Sequence, residues 1–232
     1  MNRLLCATAL FWVAGCGLID SDVTDFDLRL PEKAVTIDTE QWMLTDSATM
    51  PDVPCAQMMS VCSLGVDDFC GAGDETCFAT CDGQSCEVTV LVALSNEFDL
   101  KRQVPELQDI DEQPLASITI DRAFYTVSEN TFNVMSPELQ VYLAPQGVMQ
   151  PGSPQAEQIG TIVPIPAGVT IEEQDVELTV EGRNRLRDYM KAYATPFNLI
   201  VGSTVLLEPG DPIPTGRLVA TIKVDAHASP GL

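Results

Sequence analysis

Histidine is nearly missing: the chain has one, His227, close to the C-terminal Leu232. A His-dependent triad needs an imidazole beside its nucleophile, so one histidine in a terminal segment all but excludes such a hydrolase. No Gly-x-Ser-x-Gly elbow and no Ser-x-x-Lys motif is present either. His227 reads as a solvated residue in a flexible tail, residues 227–232. Cations are scarce as well, with 12 Lys and Arg against 34 Asp and Glu, a net charge of −22. Between Lys33 and Lys101 there is no Lys or Arg at all, but there are 12 acids. Binding to nucleic acid or anionic lipid head groups needs basic patches, and this composition argues against both. The acidic stretch reads as a solvated face.

A membrane-spanning run is also lacking at the start of the chain. Residues 4–13 are apolar, but a span takes about 20 residues. Arg3 precedes this run, and Val13-Ala14-Gly15-Cys16 ends it. A charged start, a short apolar core and a small-residue site make a secretory signal. The last four residues resemble the lipobox of bacterial lipoproteins. That resemblance implies a signal peptide at residues 1–15, a diacylglyceryl group on the Cys16 thiol and cleavage after Gly15. Each buried methylene of the acyl chains contributes roughly 0.8 kcal/mol to anchoring. The implied site is the cell envelope, and Gly17 rather than Asp after the cysteine leans toward the outer membrane. The lipid anchor makes the membrane one partner; an envelope protein or polymer is the other candidate.

Cys6 falls within the signal. The six cysteines left besides Cys16 are Cys55, Cys62, Cys70, Cys77, Cys81 and Cys86. An even set in an exported chain predicts three disulfides, with the pairing open among fifteen possibilities. Few large apolar residues lie between them, and glycines interrupt the segment. Residues 55–86 therefore read as a cross-linked knob inserted in the fold. Zinc is a poor match, because only Cys77 and Cys81 approach the usual ligand spacing. No cofactor is implied. The residues best suited to an ion are Asp67, Asp68, Asp74 and Glu75, as calcium ligands, although no EF-hand frame is present. Adjacent acids such as Asp111-Glu112 and Glu172-Glu173 point to opposite faces of a strand and rarely share a site.

The rest of the chain alternates in strand fashion. Phe26, Leu28 and Leu30 predict a first strand, carried with the lipidated tether over residues 16–33. Further strands are expected at 34–39, 87–94, 118–127, 132–135, 139–143, 159–165, 176–180, 197–207 and 218–224. Residues 96–114 read as loop with one helical turn, and 144–157 as a long Pro/Gly loop. Leu186, Tyr189, Met190 and Tyr193 form a stripe that predicts a helix over 182–194. Arg183, Arg185, Arg187 and Lys191 make this helix the most basic part of the chain, either an anion site or an acid-paired flank. The pattern predicts an antiparallel β-sandwich or open barrel over residues 34–226. From Thr119 onward the chain loosely resembles uncharacterised envelope lipoproteins of bacteria, which carry no activity over. The expected role is binding, adhesion or assembly without catalysis, through the cysteine knob, the acidic stretch or the 144–157 loop. The alternatives are a periplasmic carrier or chaperone with an apolar cleft between its sheets, and a carboxylate-based hydrolase.

Metabolic labelling with a palmitate analogue checks the anchor. The wild-type chain is expected to carry label, and Cys16→Ala to carry none and leave the membrane fraction.

Overall fold

The computed structural model describes residues 26–42, 48–55, 76–83, 85–108 and 115–229. These residues form two antiparallel sheets packed face to face, a sandwich rather than a closed barrel. The five-stranded sheet contains β1 (Phe26–Arg29), β2 (Lys33–Asp38), β5 (Ser117–Asn130), β8 (Ile171–Asp175) and β11 (Arg217–Ser229). The six-stranded sheet runs in the order β3 (Cys77–Asp82), β4 (Ser85–Phe98), β10 (Phe197–Leu207), β6 (Leu139–Pro145), β7 (Glu157–Ile162) and β9 (Glu177–Leu178). Three helices complete the fold: the single turns α1 (Leu100–Gln103) and α2 (Pro105–Gln108), and α3 (Val180–Lys191). No helix among the described residues is long and apolar enough to cross a membrane.

β11 is the spine of the five-stranded sheet. Leu218, Ala220, Ile222, Val224, Ala226 and Ala228 alternate into the core without a break. β1 and β2 lie end to end along one edge of β11, separated at Leu30-Pro31-Glu32. Proline has no N–H for the ladder, so one strand becomes two. β5 takes the other edge of β11 and carries two register shifts. Its core-facing residues are Ile118 and Ile120, then Ala123, Tyr125 and Val127, then Asn130. The parity changes twice, and each change falls at a bulge, one at Asp121 and one at Ser128. Without the extra residues, half of this apolar set would face solvent.

The inner face of the other sheet is supplied by Val88, Val90 and Val92 of β4 and by Phe197, Leu199 and Val201 of β10. These two strands pair over eleven residues, Phe197 with Phe98 through Leu207 with Val88. Trp42 packs against both the main core and a smaller cluster around Met50, Val88 and Leu207. The buried Asn130 is satisfied, donating to the carbonyls of Pro166 and Val169 at 2.9 Å each. The Tyr125 hydroxyl is fully buried without a hydrogen-bond partner among the described residues. Burial, and secondarily the charge of Glu177, raises its pKa.

α3 starts two residues before its expected position. Thr179 caps it, accepting a hydrogen bond from the Gly182 N–H at 2.8 Å. Leu186, Met190 and Tyr193 are buried as the stripe predicts, and the Tyr189 ring lies tilted against Phe197, with centroids 5.3 Å apart. Other expectations are corrected. Residues 132–135 are irregular rather than a strand, because Asn130 turns the chain by accepting from the Phe132 N–H. β4 runs on to Phe98, and 100–108 holds two helical turns instead of one. β8 was not expected: Glu172, Glu173, Gln174 and Asp175 look like loop, and pairing with β5 makes them a strand. β1 belongs to the sandwich rather than to the tether. The expected tail is also corrected over 227–229, since β11 pairs with β5 through Ser229; residues 230–232 lie outside the described residues.

Gly182 is where the helix meets the sheet. A Cβ there would lie 1.9 Å from the carbonyl oxygen of Ile159. Backbone against backbone cannot yield cheaply, so Gly182→Ala is expected to cost about 3 kcal/mol or more in urea unfolding.

Candidate functional site

Four groups of side chains bear on function: the cysteine staple, the charged outer face of the five-stranded sheet, the basic helix, and the cation-free outer face of the six-stranded sheet.

All four described cysteines are disulfide-bonded. Cys55 pairs with Cys81 across a Cα–Cα distance of 5.9 Å. Cys86 lies opposite Cys81 in the β3–β4 hairpin, with its sulfur 3.8 Å from that of Cys55. Three sulfurs this close suggest a metal site. A metal needs thiolates, however, and a disulfide sulfur has no such charge to give. The cluster is therefore a covalent staple that holds residues 52–55 beside the start of β4, where the Cys86 N–H donates to the Val53 carbonyl at 2.9 Å. The expected knob is thus partly sheet: β3 and the start of β4 form a hairpin turned at Gly83, whose φ is 65°. Cys16, Cys62, Cys70, Asp67, Asp68, Asp74 and Glu75 lie outside the described residues, as do Asp111 and Glu112.

The outer face of the five-stranded sheet is laced with ion pairs. His227 lies between two carboxylates, with Nε2 3.2 Å from Asp27 and Nδ1 against Asp121. It is therefore a cross-strand pin joining β1, β11 and β5 rather than a solvated tail residue. The bulge at Asp121 turns both Asp121 and Arg122 outward, which a regular strand could not do. Arg122 bridges to Asp175 at 2.5 Å and to Glu173, and stacks 4.8 Å over Phe124. Hydrogen bonds from Asp175 and Glu173 hold its pKa above the ordinary value. Arg29 reaches Asp225 at 3.2 Å, and Lys223 reaches Glu32 at 2.7 Å. Shallow clefts of about 320 and 450 Å³ open around the β1–β2 break. Apart from Glu106, their charged walls are these same paired residues. Glu173 is one of the acids of a candidate catalytic pair, and it is held by an arginine.

The basic residues of α3 do not converge on one point. Arg183 donates to the Ile120 carbonyl at 3.0 Å beside the bulge, Arg185 pairs with Glu157 at 2.5 Å, and Arg187 lies 3.7 Å from Asp188. The acid-paired flank describes them better than an anion site.

The six-stranded sheet is different in kind. None of its strands contains Lys or Arg, and neither do the loops at 131–138, 146–156, 163–170 and 208–216. Every Lys and Arg among the described residues sits on the five-stranded sheet, α1 or α3. Three basic-free stretches of sequence supply this sheet: 34–100 gives β3 and β4, 123–182 gives β6, β7 and β9, and 192–216 gives β10. The first was visible as a composition anomaly; that all three meet is a property of topology. The outer face exposes Phe78, Leu91 and Leu206. Two grooves cross it. One, of about 350 Å³, runs between Leu91, Tyr142 and the 146–156 loop, whose Pro151 sits over Gly202. The other, of about 310 Å³, follows β10 between Met135, Pro137, Pro164 and Pro212. Both are lined by Thr204. Apolar surface rimmed by polar groups and left open in this way is characteristic of interaction sites.

No protein-family model matches the chain, and no curated protein is similar to it.

The Cys55–Cys81 bond closes a sequence separation of 26 residues. Its loss in a Cys55→Ser/Cys81→Ser chain is expected to cost about 3 kcal/mol in chemical unfolding, with β4–β10 retaining its circular dichroism.

Proposed function

We propose that this chain is a lipid-anchored envelope protein that acts by binding a partner on its surface, without catalysis. The observation that carries this reading is the grooved outer face of the six-stranded sheet, which has no Lys or Arg, on a chain whose cations are mostly paired on the other sheet and α3. Cys16 in its lipobox supplies the anchor and the exported location, the outer membrane in preference to the inner one. The cysteine staple suits an oxidising compartment.

Two other mechanisms fit less well. A carrier would need an apolar cleft between the sheets, but Tyr125, Leu143 and Phe197 are fully buried there. The grooves instead open outward. A hydrolase would need a free base or an opposed carboxylate pair. His227 is held between Asp27 and Asp121, and Glu173 and Asp175 both neutralise Arg122.

Affinity capture of the full chain from detergent-solubilised envelopes checks the proposal. A protein or envelope polymer is expected to co-purify at fixed stoichiometry and to persist with Cys16→Ala. A chain that retains nothing, yet cleaves an envelope polymer, would sink it.

A further inference from the structure

The reading of this chain as a surface binder leaves open what it binds; the following rests on that reading. β4 pairs with β10 along its whole length, residues 197–207, whereas β6 pairs only with 197–202. Beyond Gly202, one edge of β10 therefore has no strand beside it among the described residues. The N–H and C=O groups along such an edge are a template for another chain.

Proteins usually blunt their edges with charge. β8 does so with Glu172, Glu173 and Asp175, and β2 with Lys33 and Asp38. The free edge of β10 reads Ser203-Thr204-Val205-Leu206-Leu207, with no charge and no proline. The groove of about 310 Å³ lies along this edge, and Thr204 joins it to the second groove. An added strand would place alternate side chains against Met135, Pro137 and Pro212 on one face and toward the core rim on the other.

Charge selects the partner. Glu138 and Glu208 are exposed at the ends of this edge, and Asp211 lines the groove. No cation lies on the sheet or its loops. A second copy of this chain would bring another −22, and an anionic lipid surface would also be repelled.

We infer that the edge of β10 at 203–207 is a strand-addition site for an extended segment of a partner protein, uncharged where it pairs and flanked by lysine or arginine. Main-chain hydrogen bonds hold the segment, and the flanking cations meet the acidic rim.

The probes are synthetic peptides of alternating Val and Thr: one with Lys at both ends, one with Glu at both ends, and a Lys-ended one with alternate backbone nitrogens methylated. They are titrated against the full chain in detergent, with amide exchange followed in parallel. The Lys-ended peptide is expected to bind at least about tenfold tighter than the Glu-ended one, with the gap narrowing as salt rises. The methylated peptide should not bind. Bound peptide should slow exchange within 203–207. Leu206→Lys, at an exposed position that leaves melting unchanged, should weaken binding about tenfold. Equal binding of the Lys- and Glu-ended peptides, or binding without protection at 203–207, overturns the assignment. If that happens while an envelope partner still co-purifies with the Leu206→Lys chain, surface binding stands and only this site falls. If nothing co-purifies with the wild-type chain either, both fall.

Discussion

The strict two-residue alternation of β11 is the constraint on which the rest of this molecule depends. Three of the other four strands of its sheet, β1, β2 and β5, pair directly with it. Six consecutive even positions from Leu218 to Ala228 face the core, and fully burying a large apolar side chain is worth roughly 1.5–3 kcal/mol. A slip of one residue would turn that whole face to water. β5 is not regular enough to match β11 by itself, and its bulges at Asp121 and Ser128 restore the match. The bulge at Asp121 also has a second effect on the outer face: Asp121 and Arg122 point outward together, one to His227 and the other to Glu173 and Asp175.

The two sheets divide the work of charge. The five-stranded sheet carries five of the eleven Lys and Arg among the described residues and spends four of them on ion pairs, each of modest energy because it is exposed to water. Together they specify which strands neighbour β11. The six-stranded sheet has no cation to spend and depends instead on the long β4–β10 ladder, on apolar contact and on the disulfide staple near its β3 edge. What remains on its outside is surface that can exchange water for a partner at little electrostatic cost, bounded by acids that favour a positively charged neighbour.

Much of the fold was legible in the residues. β10 matches its expected bounds of 197–207, and β1, β2 and β6 fall within a residue or two of theirs, because apolar and polar residues alternate cleanly there. The helix stripe was read correctly for burial through Tyr193, although the helix ends at Lys191 rather than at 194. The misses share a cause. β8 is four polar or acidic residues after Ile171, and only the edge of β5 makes them a strand. His227 sits among Asp225, Ala226 and Ala228, too small or polar to signal burial locally, and only β5 on one side and β1 on the other hold it in a sheet. Cys81 could have joined any of five partners. The meeting of residues 52–55 with the start of β4 brings it to Cys55.

By itself, the sequence determined the mainly antiparallel class, a disulfide in the cysteine-rich segment and the shortage of cations. These are local or compositional, readable from neighbouring residues and simple counts. Only the tertiary structure decided that three distant basic-free stretches together supply the six-stranded sheet, that the lone histidine is held between two carboxylates, and that β10 outruns β6 to leave an uncharged edge. Strand pairing joins residues by register across long separations, so these features exist only once the sheets are assembled.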